Sequence, residues 1–321
     1  MAYNSSNEAN IVRQELYDAT LEKSLDDWLV GKPLFDDKTA VFPDGDTLQI
    51  TKTGDRAVSD YTEDSAINFD NMQTSRVNLT VTDYKQDGWY ITDKLKQDGH
   101  QAESFWAENV RKSAIAMERD MEKATLLTAN SQTLANANLI NGAAHRFAGK
   151  GTSGALTIED FGAIKLAFDK AYVPTENRML IITPEMEFEL NKLLNITEVS
   201  NGSNFNFDVG GLVTTGFGDK LNIVRNIFGI NIMVSHNLPD ITAETLTQYD
   251  GTNSASITGK ACVAMSMADA SSMPFMGVIR QRPESEFFRN THYKQDEWSA
   301  TCRYGFGLKR AESLIVVATP V

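Results

Sequence analysis

Cysteine is almost absent: Cys262 and Cys302 are the only two in 321 residues, and neither belongs to a CxxC or Cys/His cluster. A disulfide framework and a cysteine-based zinc site are therefore excluded, and two semi-buried free thiols in a reducing compartment are expected. Histidine is as scarce. His100, His145, His236 and His292 are scattered, with no HExxH and no neighbouring carboxylate at ligand spacing, so each reads as structural or solvated. Positive charge is also short: 30 Lys+Arg against 43 Asp+Glu give a formal net charge of -13. With no run of four basic residues, the chain lacks the cationic surface that displaces counterions from nucleic acid along its length. No apolar run approaches the roughly 18 residues needed to cross a bilayer, and the opening Met1-Ala2-Tyr3-Asn4-Ser5-Ser6-Asn7-Glu8 has neither the basic end nor the apolar stretch of a secretory signal. A soluble protein made in a cytoplasm, without membrane contact, is expected. There is no GxSxG nucleophile elbow. Gly149-Lys150-Gly151-Thr152-Ser153-Gly154 lacks P-loop spacing and follows no predicted strand, so it reads as a flexible loop rather than a phosphate cradle.

What is present suffices for a core. Apolar residues make up 41% of the chain, which excludes a disordered or collagen-like protein, and the length predicts about two domains at roughly 150 residues each. Acidity is concentrated at the start: residues 1–98 hold 10 Lys+Arg and 19 Asp+Glu, a net of -9, leaving -4 for the rest.

The pattern changes along the chain without internal repeats. Ile11, Val12, Leu16, Leu21, Leu25 and Trp28 give residues 1–30 the loose helical spacing of a segment that docks on something, ended by Gly31-Lys32-Pro33. Residues 46–51 and 76–82 alternate apolar and polar, and about twenty polar and acidic residues lie between them (Thr53 to Gln73). These two runs predict a long, exposed, two-stranded arm, which is barely stable alone in water and so argues for a supporting partner surface. A turn at Gln86-Asp87-Gly88 is expected to lead into Trp89-Tyr90-Ile91.

Asp98-Gly99-His100-Gln101 signals the start of one long amphipathic helix to about Asn130. Its apolar face holds Trp106, Val110, Ala114, Met117, Met121 and Ala124. The opposite face, with Glu108, Arg111, Lys112, Glu118, Arg119, Glu122 and Lys123, reads as solvated, with Glu108 and Lys112 paired at i,i+4. Residues 130–154 read as a loop. Thr157-Ile158-Glu159-Asp160 resembles a capping box opening a helix to about Tyr172, stopped by Val173-Pro174. Buried strands are expected at 179–182, 229–235 and 261–265, and a helix over 186–194 behind Thr183-Pro184-Glu185. The C-terminal block predicts strands near 285–292, 296–303 and 314–317.

The remaining candidates for chemistry have structural readings. Asp26/Asp27 and Asp36/Asp37 are adjacent rather than facing, and Glu185, Glu187 and Glu189 suit a helix start. Met265, Met267, Met273 and Met276 read as core filling. Trp28, Trp89, Trp106 and Trp298 fall one per segment, as anchors of separate pieces. No catalytic, cofactor-binding or metal-ligating residue is assigned, and the chain is read as not an enzyme.

The order of these pieces, together with several short strings, resembles the tailed-bacteriophage major capsid (coat) proteins of the Hong Kong 97-type fold. Gly45-Asp46-Thr47-Leu48-Gln49-Ile50 is similar to the first strand of that family's extended loop, and the 100–130 helix is placed like its spine helix. Val173-Pro174 with Asn177-Arg178-Met179-Leu180-Ile181-Ile182-Thr183-Pro184-Glu185 resembles its passage into the axial domain. Gly229 to Pro239 resembles its "G-strand-S-x-x-LP" segment, and Trp298 to Val317, with Arg303-Tyr304-Gly305, its returning strands. The resemblance spans about residues 36–318. It implies an α+β fold with an N-terminal arm (1–38), an extended loop (39–93), a peripheral domain with the spine helix (94–155 and 285–321) and an axial domain (156–284).

By the same resemblance the chain assembles with itself as hexamers and pentamers into an icosahedral shell enclosing a double-stranded DNA phage genome. It implies no sequence-specific DNA binding and no membrane. A portal protein and a decoration or cement protein are further partners it brings in. The roughly hundred extra N-terminal residues that serve some members as a scaffold are missing, so a separate scaffolding protein is implied, unless the system dispenses with one. Some members crosslink a loop lysine to a neighbour's asparagine; Lys52 lies in the loop, but no partner can be matched to it. The virion capsid is the implied location, after assembly in the host bacterial cytoplasm. An acidic chain fits a container that must not hold its DNA tightly. Two alternatives share these patterns: an encapsulin-type bacterial nanocompartment shell, marked by a cargo enzyme inside, and a soluble α+β enzyme of unrecognised type, marked by a ligand-filled pocket.

Overall fold

The computed structural model describes residues 34–320 apart from 43–44, 55, 57, 59, 65, 68, 70, 72–73, 99–101, 132–138, 152–153, 198–222 and 252. The expectations for residues 1–30, including Trp28 and Asp26/Asp27, and for His100 and the glycine-spotted stretch before Ile223 lie outside the described residues.

In chain order the elements are β1 (Phe35–Asp37), β2 (Thr47–Thr53), β3 (Thr74–Thr80), β4 (Asp83–Thr92), α1 (Asp93–Asp98), α2 (Ala102–Leu127), β5 (Leu139–Ile140), β6 (Ala143–Ala144) and β7 (Arg146–Ala148). There follow α3 (Ile158–Lys170), β8 (Arg178–Ile182), α4 (Pro184–Thr197), β9 (Ile223–Ile227), β10 (Ile230–Val234), β11 (Asp240–Thr247), β12 (Ser254–Ser266), β13 (Phe275–Asn290), β14 (Gln295–Leu308) and β15 (Leu314–Pro320). The architecture is α+β, as the pattern of elements implied.

A seven-stranded mixed sheet runs β7-β15-β12-β8-β10-β9, with β11 also on β12. Its central strand β8 is buried at every position, which its unbroken Met179-Leu180-Ile181-Ile182 run requires. Phe161, Ile164 and Phe168 of α3 and Met186 and Leu190 of α4 join these strands in one large core. Helix α3 starts where the Asp160 carboxylate accepts the Thr157 N–H and hydroxyl, each at 2.8 Å. Its end at Lys170 is held by Arg178 of β8, whose buried guanidinium donates to the carbonyls of Val173 (2.7 Å) and Pro174 (3.0 Å) and pairs with Asp169 at 2.7 Å. The Val-Pro…Arg string is thus a helix C-terminal clamp.

A four-stranded sheet runs β1-β13-β14-β4, and α2 covers one of its faces. Trp298, Ala300, Cys302 and Tyr304 alternate inward along β14 to meet Met117, with Trp106, Val110, Met121 and Ala124 beside them. Ala114, assigned to the apolar face, is exposed, and Ser113 is buried in its place, donating to the Asp87 carboxylate. Helix α2 reaches the larger sheet through Glu122, which accepts from Ser235 Oγ (3.2 Å) and Asn237 Nδ2 (3.0 Å). The Ser-x-x-Leu-Pro string therefore joins the long helix to the end of β10.

Several expectations are corrected. Gln86-Asp87-Gly88 is no turn: β4 runs straight through it, because each residue pairs in register with β14 (Thr301, Ala300 and Ser299), and the bend falls at Val81-Thr82. The loop expected over 130–154 contains β5, β6 and β7, the last pairing parallel with β15. Strand β11 was not foreseen. The C-terminal strands are far longer than their local pattern suggested, with β13 spanning 16 residues and β14 spanning 14. Glu108 is not on a solvated face: it is buried and forms a bidentate pair with Arg111 (2.6 and 3.2 Å) rather than one with Lys112.

Candidate assembly surface

The arm is built by β2 and β3, paired antiparallel from Thr47↔Thr80 to Thr53↔Thr74. Its root is anchored by Phe42, Leu79, Val81, Met276 and Val278, with Leu48, Ile50 and Val77 packed on them. Beyond the last pair, no such cluster continues among the described residues. Val58 is 98% exposed and Phe69 88%, with Tyr61 and Ile67 also in solvent. Large apolar groups held out on a projecting ribbon are what a contact surface provides and a free monomer avoids.

A second exposed apolar group lies at the far end of the four-stranded sheet. Strand β1 pairs β13 only at residues 275–277, so the outer part of β13 is an open edge carrying exposed Phe287 and Phe288, with exposed Tyr90 two strands away on β4. Its hairpin is locked by charge. Arg289 binds Asp93 at 2.5 Å and Asp296 at 2.7 Å, and Lys96 adds a second cation to Asp296. Arg289 holds the Asp93 carboxyl below its usual range, Lys96 and then Arg289 do the same for Asp296, and the two carboxylates push Arg289 upward.

The other residues singled out by the sequence are not brought together. His145 is buried, its Nδ1 3.1 Å from the Ala143 carbonyl, and burial pushes its pKa down; His236 and His292 are exposed. Cys262 and Cys302 are both buried free thiols, and burial pushes Cys262 up to about 11, far from a reactive thiolate. The described part of the glycine string is pinned: the buried Asp160 accepts the Lys150 N–H, and Gly151 N–H donates to Ala155 O. A Cβ at Gly149 would lie 2.3 Å from the Gly154 carbonyl oxygen, so compactness, not phosphate, demands that glycine. Asp36 is likewise no surface carboxylate. It is buried, and although burial raises it, hydrogen bonds from Lys309 and Lys38 outweigh that and hold its pKa low. Glu185 is exposed at the start of α4, and Met265 and Met276 are buried in core. Trp89, Trp106 and Trp298 do not anchor separate pieces: they cluster, Trp106 edge-on to the Trp89 ring at 4.1 Å and Trp298 tilted against it at 5.7 Å. Strand pairing across 200 residues of sequence assembles them, which no local spacing signals. Lys52 sits on β2 opposite Ser75. Among the described residues, no group of three or more metal-capable side chains exists, and no helix is long and apolar enough to cross a membrane.

The sequence model of a phage capsid protein family matches residues 74–317, three quarters of the chain and all of both sheets except β1 and the last residues of β15. The chain belongs to that family. No curated protein sequence matches it. Among solved structures, it is similar to one from Mycobacterium phage Che8 (TM-score 0.64, 19% identity, covering 96% of this chain and 97% of that one). It is also similar to the capsid of the cyanophage P-SCSP1u (0.68, 15%, 98% and 94%) and to the mature capsid of bacteriophage PhiM1 (0.64, 12%, 96% and 92%). The fold is the Hong Kong 97-type. The chain is a structural major capsid protein of the icosahedral virion shell, not an enzyme, and neither the nanocompartment nor the soluble-enzyme alternative gains support.

Proposed function

We propose that copies of this chain form hexamers and pentamers by laying the β2–β3 arm of one copy on its neighbour, closing a shell around a double-stranded DNA phage genome. The observation that carries this reading is the arm itself, anchored at one end and presenting Val58, Tyr61, Ile67 and Phe69 to solvent at the other. A two-stranded ribbon of this kind gains its missing burial from a second surface. In this reading residues 1–38 are the N-terminal arm, 39–93 the extended loop, 94–155 and 285–321 the peripheral domain, and 156–284 the axial domain. Assembly takes place in the bacterial cytoplasm with a separate scaffolding protein, a portal fills one vertex, and the outer surface offers room for a decoration protein. The net charge of -13 keeps the DNA loosely held.

Electron microscopy with light-scattering mass, on protein expressed alone and with a scaffolding partner, tests this. Closed polyhedral particles with six- and five-fold clusters are expected, and the arm should lie across a subunit boundary. Small discrete oligomers in both samples would overturn the reading.

A further inference from the structure

Three glycines of the four-stranded sheet, the glycine row, lie where the arm and the strap leading into it close on the sheet: Gly305 and Gly307 on β14 face the arm's root, and Gly277 on β13, paired with Phe306, faces the opposite side against the strap's Phe35. Gly305 on β14 lies under the bend between β3 and β4. A Cβ there would stand 2.7 Å from the Thr80 carbonyl oxygen and 2.8 Å from the Val81 Cα, both backbone atoms. At Gly277 on β13 a Cβ would come within 2.6 Å of the Phe35 ring and 2.7 Å of the Phe306 ring. At Gly307 the neighbours are flexible side-chain ends, Leu79 Cδ1 at 3.0 Å and Met276 Cε at 3.3 Å. None of these three glycines has a positive φ. Glycine within a strand weakens it, so three of them where no turn requires one mark a close approach.

The strap, residues 34–42, closes the other side. Leu34 is buried in the large core and Phe42 in the arm's root, so this short segment spans both. Lys38 N–H donates to the Gly277 carbonyl at 2.9 Å, and Ile279 N–H donates to Thr39 Oγ1 at 3.1 Å. Arg280 donates to the Phe42 carbonyl at 2.9 Å while its guanidinium covers the Phe42 ring at 5.5 Å. Asp36 ties the strap to Lys309 at 2.5 Å.

From this juxtaposition we infer that the strap and the glycine row form a socket that sets the angle at which the arm leaves the four-stranded sheet, and with it the curvature of the shell. The second half rests on the proposed laying of the arm on a neighbour; the first half does not. The arm therefore projects in one direction before any neighbour is met. The socket ranks its own substitutions. Gly305→Ala collides with backbone and must move the arm, whereas Gly307→Ala asks only a leucine and a methionine to shift.

The experiment measures the distance distribution between two nitroxide labels by pulsed electron paramagnetic resonance, on the full chain kept below its assembly concentration. Labels go on Val58→Cys in the arm and Tyr172→Cys beyond α3, both exposed, while the native thiols are buried. A single narrow distribution is expected for the parent. Gly305→Ala should shift its mean, Phe42→Ala should broaden it, and Gly307→Ala should leave it nearly unchanged. Phe42→Ala decides if Gly305→Ala fails to fold, which circular dichroism reveals. Unchanged distributions in Gly305→Ala and Phe42→Ala would overturn the socket. A shifted arm with particles of parental diameter would overturn its link to curvature, and failure of the parent to form particles would count against the shell reading alone.

Discussion

The seven-stranded sheet and the four-stranded sheet with its arm divide the labour of this molecule. In the first, strands β8, β12 and β15 are buried along long runs, and two helices close the core without help from outside. In the second, apolar burial is split between a root cluster of five buried residues and a helix-facing cluster of five, and both end in exposed aromatics. One region satisfies itself within the monomer. The other reserves apolar surface for a second molecule and compensates with charge: Asp36, Asp93 and Asp296 are each clamped by a lysine or an arginine. Stability and assembly are thus assigned to different parts of one chain.

The contrast breaks most severely in the larger sheet. Phe161→Ala removes a ring with no solvent exposure from between α3 and the strands, and should cost about 3–5 kcal/mol of unfolding free energy, read by denaturant titration of the unassembled chain. An unchanged midpoint would show that the core is not where stability lies. In the four-stranded region the loss of one polar contact costs less. Tyr304→Phe deletes the hydroxyl that donates to Asp120 at 2.5 Å and should cost about 0.5–1.5 kcal/mol, because Asp120 can turn to water. It should also speed amide exchange in α2 more than in α3.

Acid should separate the two regions further. The lowered carboxyls of Asp93 and Asp296 contribute stability that is complete above the unfolded value near 4 and is lost as pH falls through their depressed folded values. The buried Asp160 behaves oppositely. Burial raises its pKa, so it opposes the fold when charged and relieves that cost as it protonates. Amide protection around residues 289–296, taken relative to the intrinsic exchange rate at each pH, should therefore fall as pH drops below about 4, and Asp296→Asn should show that looseness already at pH 5 with a flatter profile. The smallest effect on stability sharpens the comparison best. Phe69→Ser, at a side chain in solvent, should change unfolding by no more than about 0.5 kcal/mol yet sharply reduce particle yield by light scattering. Normal yield would remove the arm tip from the assembly surface.

Local pattern alone determined the arm, the long helix, the capped α3 and the apolar run of β8, because each is set by alternation, a 3.6-residue period or a turn signal within a few residues. The order of those elements, with the short strings that resemble a known coat-protein family, implied the fold and the shell. Tertiary structure decided what those elements touch. The straight course of β4 through Gly88 depends on pairing with β14, about two hundred residues away, while β11 and the full length of β13 depend on pairing with the strand that follows each of them. Three tryptophans form one cluster because β4, α2 and β14 meet there. Glu108 and Asp36, read as solvated, are buried with their cations. Gly277, Gly305 and Gly307 carry no turn signal; their meaning is the ring, backbone or side-chain end lying within 3.0 Å of each missing Cβ. Periodicity records which side of an element is apolar, whereas register and close approach arise from residues on different elements that only the folded chain brings together, as with Trp89 and Trp298.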